Sequence, residues 1–113
     1  MRILLANEES TKTSGSALYF IEVAGELARR GHEVALLTGD AVAPKNLPGQ
    51  WTHHAAPGAL GFVHQSGKAA LRPVRTALGE FRPEVIYTHQ VLNPAVVSLF
   101  VDQRNEHDLS VLR

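Results

Sequence analysis

The sequence predicts an α/β domain on a doubly wound parallel sheet, and three observations carry this. Residues 1–38 read strand, polar glycine-containing loop, helix, strand. The alternation then continues through residue 100 as strand, helix, strand and helix. The apolar runs are short and continuous rather than alternating, as in strands covered on both faces.

Ile3-Leu4-Leu5-Ala6 is the first such run and makes a plausible central strand. Residues 7–16 are almost wholly polar around Gly15, a loop whose last hydroxyl residues suit a helix cap. From residue 16 to 30, Ala17, Ile21, Ala24, Leu27 and Ala28 share one helical face, while Glu22, Glu26, Arg29 and Arg30 take the others. Gly31 stands at the position just past the helix where a left-handed backbone ends it, and Val34-Ala35-Leu36-Leu37-Thr38 follows as a second buried strand.

Pro44, Asn46, Pro48 and Gly49 mark residues 41–49 as a loop, and residues 51–56 read as a weak third strand closed by Pro57-Gly58. Pro73, Val74, Ala77, Leu78 and Phe81 fit a helix with proline in its first turn, extendable upstream over residues 68–71. Arg82-Pro83 ends it. Val85-Ile86-Tyr87-Thr88 is the fourth strand, a helix follows over residues 94–100, and residues 109–112 are the expected start of a fifth strand.

Composition narrows the function classes. At 113 residues the chain suits one domain, residues 1–113, and 11 basic against 11 acidic residues leave no global field to recruit nucleic acid. The absence of cysteine removes disulfides and thiolate metal sites and fits a cytoplasmic setting. The first apolar run is too short for a signal peptide, and no run reaches membrane-spanning length. Lys68, Arg72, Arg75 and Arg82 read as a solvated helix face, with peripheral contact to anionic lipid as the alternative.

In an open parallel sheet, ligands sit beyond the carboxyl ends of the strands where the strand order reverses. With the first strand central and the fourth beside it, that crevice lies between residues 7–16 and residues 89–93, so the two segments are expected to meet. Backbone amides around Ser14, Gly15 and Ser16, opening a helix, suit an anion. The plainer alternative is a turn at Gly15 with Ser14 or Ser16 as cap. His89 lies just past a buried strand on the same face, able to hydrogen-bond a sugar hydroxyl or phosphate, or only to satisfy backbone there. His53 and His54, adjacent in a strand, face opposite sides and are read as structural or exposed. His32, His64 and His107 have no partner at metal-ligand spacing, so no metal site is expected.

Met1-Arg2-Ile3-Leu4-Leu5-Ala6-Asn7, the Ser14-Gly15 loop, Leu27-Ala28-Arg29-Arg30-Gly31-His32-Glu33-Val34 and Arg82-Pro83-Glu84-Val85-Ile86-Tyr87-Thr88-His89 form a set with a known counterpart. Together they resemble the N-terminal, Rossmann-like domain of GT-B glycosyltransferases of the family 4 type, over residues 1–100. The resemblance implies a retaining hexosyl transfer that needs no metal or cofactor. It also implies a nucleotide-sugar donor held mainly by a C-terminal domain, with this domain shaping the acceptor side. Gly15 matches the last glycine of the family's Gly-Gly loop, and Ser14 stands where the first would be. His89 matches the second histidine of the His-x-His strand end, near the transferred sugar, and Tyr87 stands where the first would be.

The resulting expectation is His89 as the catalytic residue, with Asn7, Ser14, Gly15, Ser16, Gln90 and Asn93 binding donor or substrate. The donor domain is expected to lie outside these residues, leaving this chain alone inactive, with an incomplete sheet whose exposed edge favours self-association. Two other readings stand beside it. A dinucleotide-dependent epimerase or reductase would use Asp40 on the ribose but lacks Gly-x-Gly-x-x-Gly after the first strand. A standalone binding or interaction module would share the same half-fold.

Overall fold

The computed structural model describes residues 1–8, 15–39, 47, 49–57, 59–60, 68–89, 91, 93–107 and 110–112. Along them run β1 (Arg2–Asn7), α1 (Gly15–Arg29), β2 (Glu33–Thr38), β3 (Trp51–Ala55), α2 (Lys68–Phe81), β4 (Val85–Thr88), α3 (Pro94–His107) and β5 (Ser110–Leu112). All strand pairs are parallel, and the sheet order is β3-β2-β1-β4-β5. The first strand is therefore central, with β2 on one side and β4 on the other, and the order reverses at β1. This is the Rossmann-like arrangement expected from the alternation of elements.

The two-residue period of a strand divides the core between the faces. Ile3, Leu5, Val34 and Leu36 pack with Phe20, Ala24 and Ala28 of α1. Their neighbours Leu4, Ala6, Ala35, Leu37 and Ile86 turn the other way, onto Leu71, Val74, Ala77 and Leu78 of α2 and Val96 and Phe100 of α3. Burial on both sides explains why these runs read as continuous rather than alternating.

Along α1 the fully buried side chains are Ala17, Phe20 and Ala24, with Ala28 nearly so. Ile21 and Leu27, expected on the buried stripe, are partly buried at its flanks. The alanines let the helix approach the sheet closely, and Phe20 fills the space between them. The helix ends at Gly31 with φ of 91°: the Gly31 N–H donates to the Ala28 carbonyl at 3.1 Å and the His32 N–H to the Leu27 carbonyl at 3.2 Å. These two bonds satisfy terminal carbonyls of α1 and turn the chain into β2.

One helix takes its longer expected form and another outruns expectation. α2 begins at Lys68, the upstream extension the sequence allows, which sets Pro73 in its second turn. Ala69, Ala70 and Leu71 are strong helix formers and carry the helix upstream of the proline. α3 runs to His107 rather than residue 100, because its later residues Asp102, Gln103 and Arg104 carry no apolar stripe for periodicity to register. The end of α2 is as expected: Arg82, before Pro83, adopts φ of 52°. A residue preceding proline is disfavoured in the helical region, and here the exposed carbonyl of Arg82 accepts from Arg2 Nε at 2.8 Å.

Among the described residues, no helix is long and apolar enough to cross a membrane. Arg72, Arg75 and Arg82 are exposed, and the structure of residues 61–67, between β3 and α2, lies outside the described residues.

Candidate functional site

Parallel pairing aligns the carboxyl ends of the three central strands. Asn7 is in register with Thr38, and Thr38 with Ala55, while Ala6 is in register with Thr88. The His89 N–H donates to the Ala6 carbonyl at 2.9 Å, carrying the ladder one step past β4 and setting His89 beside Asn7. One row therefore runs His89, Asn7, Thr38 across the switch point. Asn7 and Thr38 fall at the same alternate positions as Leu5 and Leu36, which pack beneath α1. Both are buried, and His89 is half-buried.

The pairing of β1 and β2 persists one residue further. The Gly39 N–H donates to the Glu8 carbonyl at 2.9 Å, and the Glu8 side chain lies so close that a Cβ at residue 39 would collide with its carboxylate. A glycine here is what lets Glu8 fold over the end of β2.

Gly15 is the first residue of α1 and Ser16 the second. Tyr19, one turn later, has its ring centroid 5.8 Å from that of His89, the planes inclined by 48°. That tilted geometry is favourable for two aromatic rings. The start of α1 and the segment after β4 thus meet, as the switch-point geometry demands. Burial pushes the Tyr87 hydroxyl above its ordinary value, and the neighbouring Tyr19 pushes it further. Tyr87 is consequently a neutral group, packed from β4 against the cluster beneath α1.

The remaining expected residues divide. Asn93 is 1 % exposed and works within the fold. Its side-chain amide donates to the Ala59 carbonyl at 2.6 Å, and its Oδ1 accepts from the Ala95 N–H at 3.0 Å, capping α3. Ser14, Gln90 and Asp40 lie outside the described residues, and so do the side chains of Gly15's neighbour Ser16 and of Lys68.

Three residues of the site escaped the sequence reading in whole or in part. Thr38 ends β2 on the ligand side of the sheet, a place the same switch-point rule assigns to it. His53 fits its reading as a structural residue, half-buried with Nε2 2.7 Å from Thr38 Oγ1, but the partner that engages it went unseen. Tyr19 carried a signal too, being an aromatic off the buried stripe one turn into the helix that opens the site. Among the described residues, no three His, Asp or Glu side chains gather to hold a metal ion. Compared with known proteins, the chain matches no family model and no curated sequence.

Proposed function

We propose that this chain is the acceptor-side domain of a retaining GT-B glycosyltransferase of the family 4 type. In this role it takes part in moving a sugar from a nucleotide-sugar donor to a glycan, lipid or small-molecule acceptor in the cytoplasm. The observation that supports this reading is the contact between Tyr19, one turn after Gly15 in α1, and His89, the last residue of the matched Arg82–His89 motif. Gly15 opens α1, where the positive end of the helix dipole favours a diphosphate. His89, anchored through its N–H to the Ala6 carbonyl, is set to orient the transferred sugar or its acceptor. Stabilisation of the leaving diphosphate falls to amides and cations, shared with a donor-binding partner domain.

A nitrogen-15 NMR titration with UDP-glucose and GDP-mannose tests this proposal. The amide signals of Gly15 and His89 are expected to shift together with one of the two donors. Shifts with NADH alone would instead indicate a dinucleotide enzyme. Silence at both residues with all three ligands would overturn the glycosyltransferase assignment.

A further inference from the structure

Tyr19 and its neighbour Leu18 are 51 % and 53 % exposed, the two large apolar residues of α1 left open to water. Their situations differ. Tyr19 lies against His89 through its ring, whereas Leu18 has no part in that contact. An exposed tyrosine ordinarily samples several rotamers, but the ring contact with His89, itself tied to β1 through the Ala6 carbonyl, holds this one in place. The result is an ordered aromatic surface at the carboxyl edge of the sheet, beside the polar row of His89, Asn7 and Thr38 and one turn from the amides that open α1.

An ordered aromatic face next to convergent polar groups has a matching ligand chemistry. A pyranose ring presents C–H bonds on one face, weakly positive and apolar, and hydroxyls around its rim. The C–H face suits the negative face of an aromatic ring, and the hydroxyls suit side chains such as His89. A phosphate or a nucleotide ribose calls for amides and cations, not for a phenol ring.

We infer that Tyr19 is a specificity-determining residue of this site, its ring stacking on the C–H face of a pyranose acceptor. The proposal rests on the glycosyltransferase reading and narrows the acceptor from glycan, lipid or small molecule to one that presents a sugar ring. His89 then meets the hydroxyl rim of the same sugar, with the Tyr19–His89 ring contact fixing the platform against which it is placed.

Saturation-transfer NMR on the chain with methyl glucoside, methyl mannoside and methyl galactoside as probes tests this directly. Saturation of the tyrosine ring protons is expected to reach the C–H face of at least one pyranoside. Stacking of this kind is worth about three- to tenfold in affinity, so Tyr19→Ala and Tyr19→Leu should weaken binding by that factor. Tyr19→Phe, which keeps the ring, should stay within about twofold, and Leu18→Ala should leave binding unchanged. Tyr19→Leu keeps apolar bulk without an aromatic face, so it reports even where the alanine variant folds poorly.

Binding of no pyranoside, or equal binding by the leucine variant and the wild-type protein, overturns the assignment to Tyr19. If that occurs while UDP-glucose or GDP-mannose still moves Gly15 and His89, the glycosyltransferase reading survives and only the acceptor assignment fails. Pyranoside stacking without any donor response would leave Tyr19 in a sugar-binding site and remove the transferase.

Discussion

Thr38 Oγ1 and His53 Nε2 stand 2.7 Å apart, a hydrogen bond between adjacent strands at the edge of the sheet where the polar row begins. Thr38 is buried, so the bond is shielded from competing water. Thr38→Val and His53→Leu are each expected to destabilise the fold, and the double-mutant cycle should return a coupling of about 1 kcal/mol in urea unfolding. Simple additivity would show that the pair contributes position without energy.

Asn93 combines a helix cap with a buried brace to Ala59, so Asn93→Ala should cost about 2–3 kcal/mol, read from the shift in urea midpoint. Asn93→Asp keeps the acceptor for the Ala95 N–H but sets a carboxylate against the Ala59 carbonyl. Its stability should be lower than that of the wild-type protein at neutral pH and recover in acid, where the protonated carboxyl donates in place of the amide.

Three glycines should respond differently to alanine. Gly79, inside α2 with open space where a Cβ would stand, should gain about 0.5–1 kcal/mol in thermal unfolding. Gly31→Ala should lose about 1 kcal/mol, since only its φ of 91° opposes a side chain. Gly49→Ala should lose more, because its φ of 78° is joined by a Cβ that would come within 2.7 Å of the Ala28 carbonyl oxygen.

The hydrogen bond from Arg30, with Arg29 alongside, holds the Glu26 carboxyl below its ordinary pKa. A lowered folded-state value means that this contact acts above the ordinary carboxylate range and is lost as pH falls through the folded value. Arg30→Gln should move the Glu26 titration, followed by carbon-13 NMR of the carboxyl, upward toward the ordinary range. An unmoved titration would assign the shift to Arg29 instead.

The architecture was legible in the sequence because continuous apolar runs such as Val34-Ala35-Leu36-Leu37 and a glycine at residue 31 report buried parallel strands and a helix stop locally. The placing of His89 beside the end of β1 was legible for a different reason, since strand order alone dictates it. Partners were not. The Thr38–His53 bond depends on the register between β2 and β3, and the Tyr19–His89 contact on the rotation of α1 over the sheet, neither of which one-dimensional periodicity carries. Asn93 shows the converse: an amide at the ligand edge looks available in sequence, yet the packing of residue 59 and the start of α3 engages it.

The central position of β1 sets the order in which the sheet is assembled. β1 closes on β2 across 31 residues, from Arg2 to Glu33, but on β4 across 82, from Ile3 to Val85. Closing the longer loop costs about 0.9 kcal/mol more in chain entropy, before any of its contacts compensate. The unit β1-α1-β2 therefore nucleates, and β4 docks onto it later, with the Tyr19–His89 contact among the last to form. In the language of refolding kinetics, substitutions at Leu5 and Leu36 should slow folding, whereas those at Tyr19 should chiefly speed unfolding.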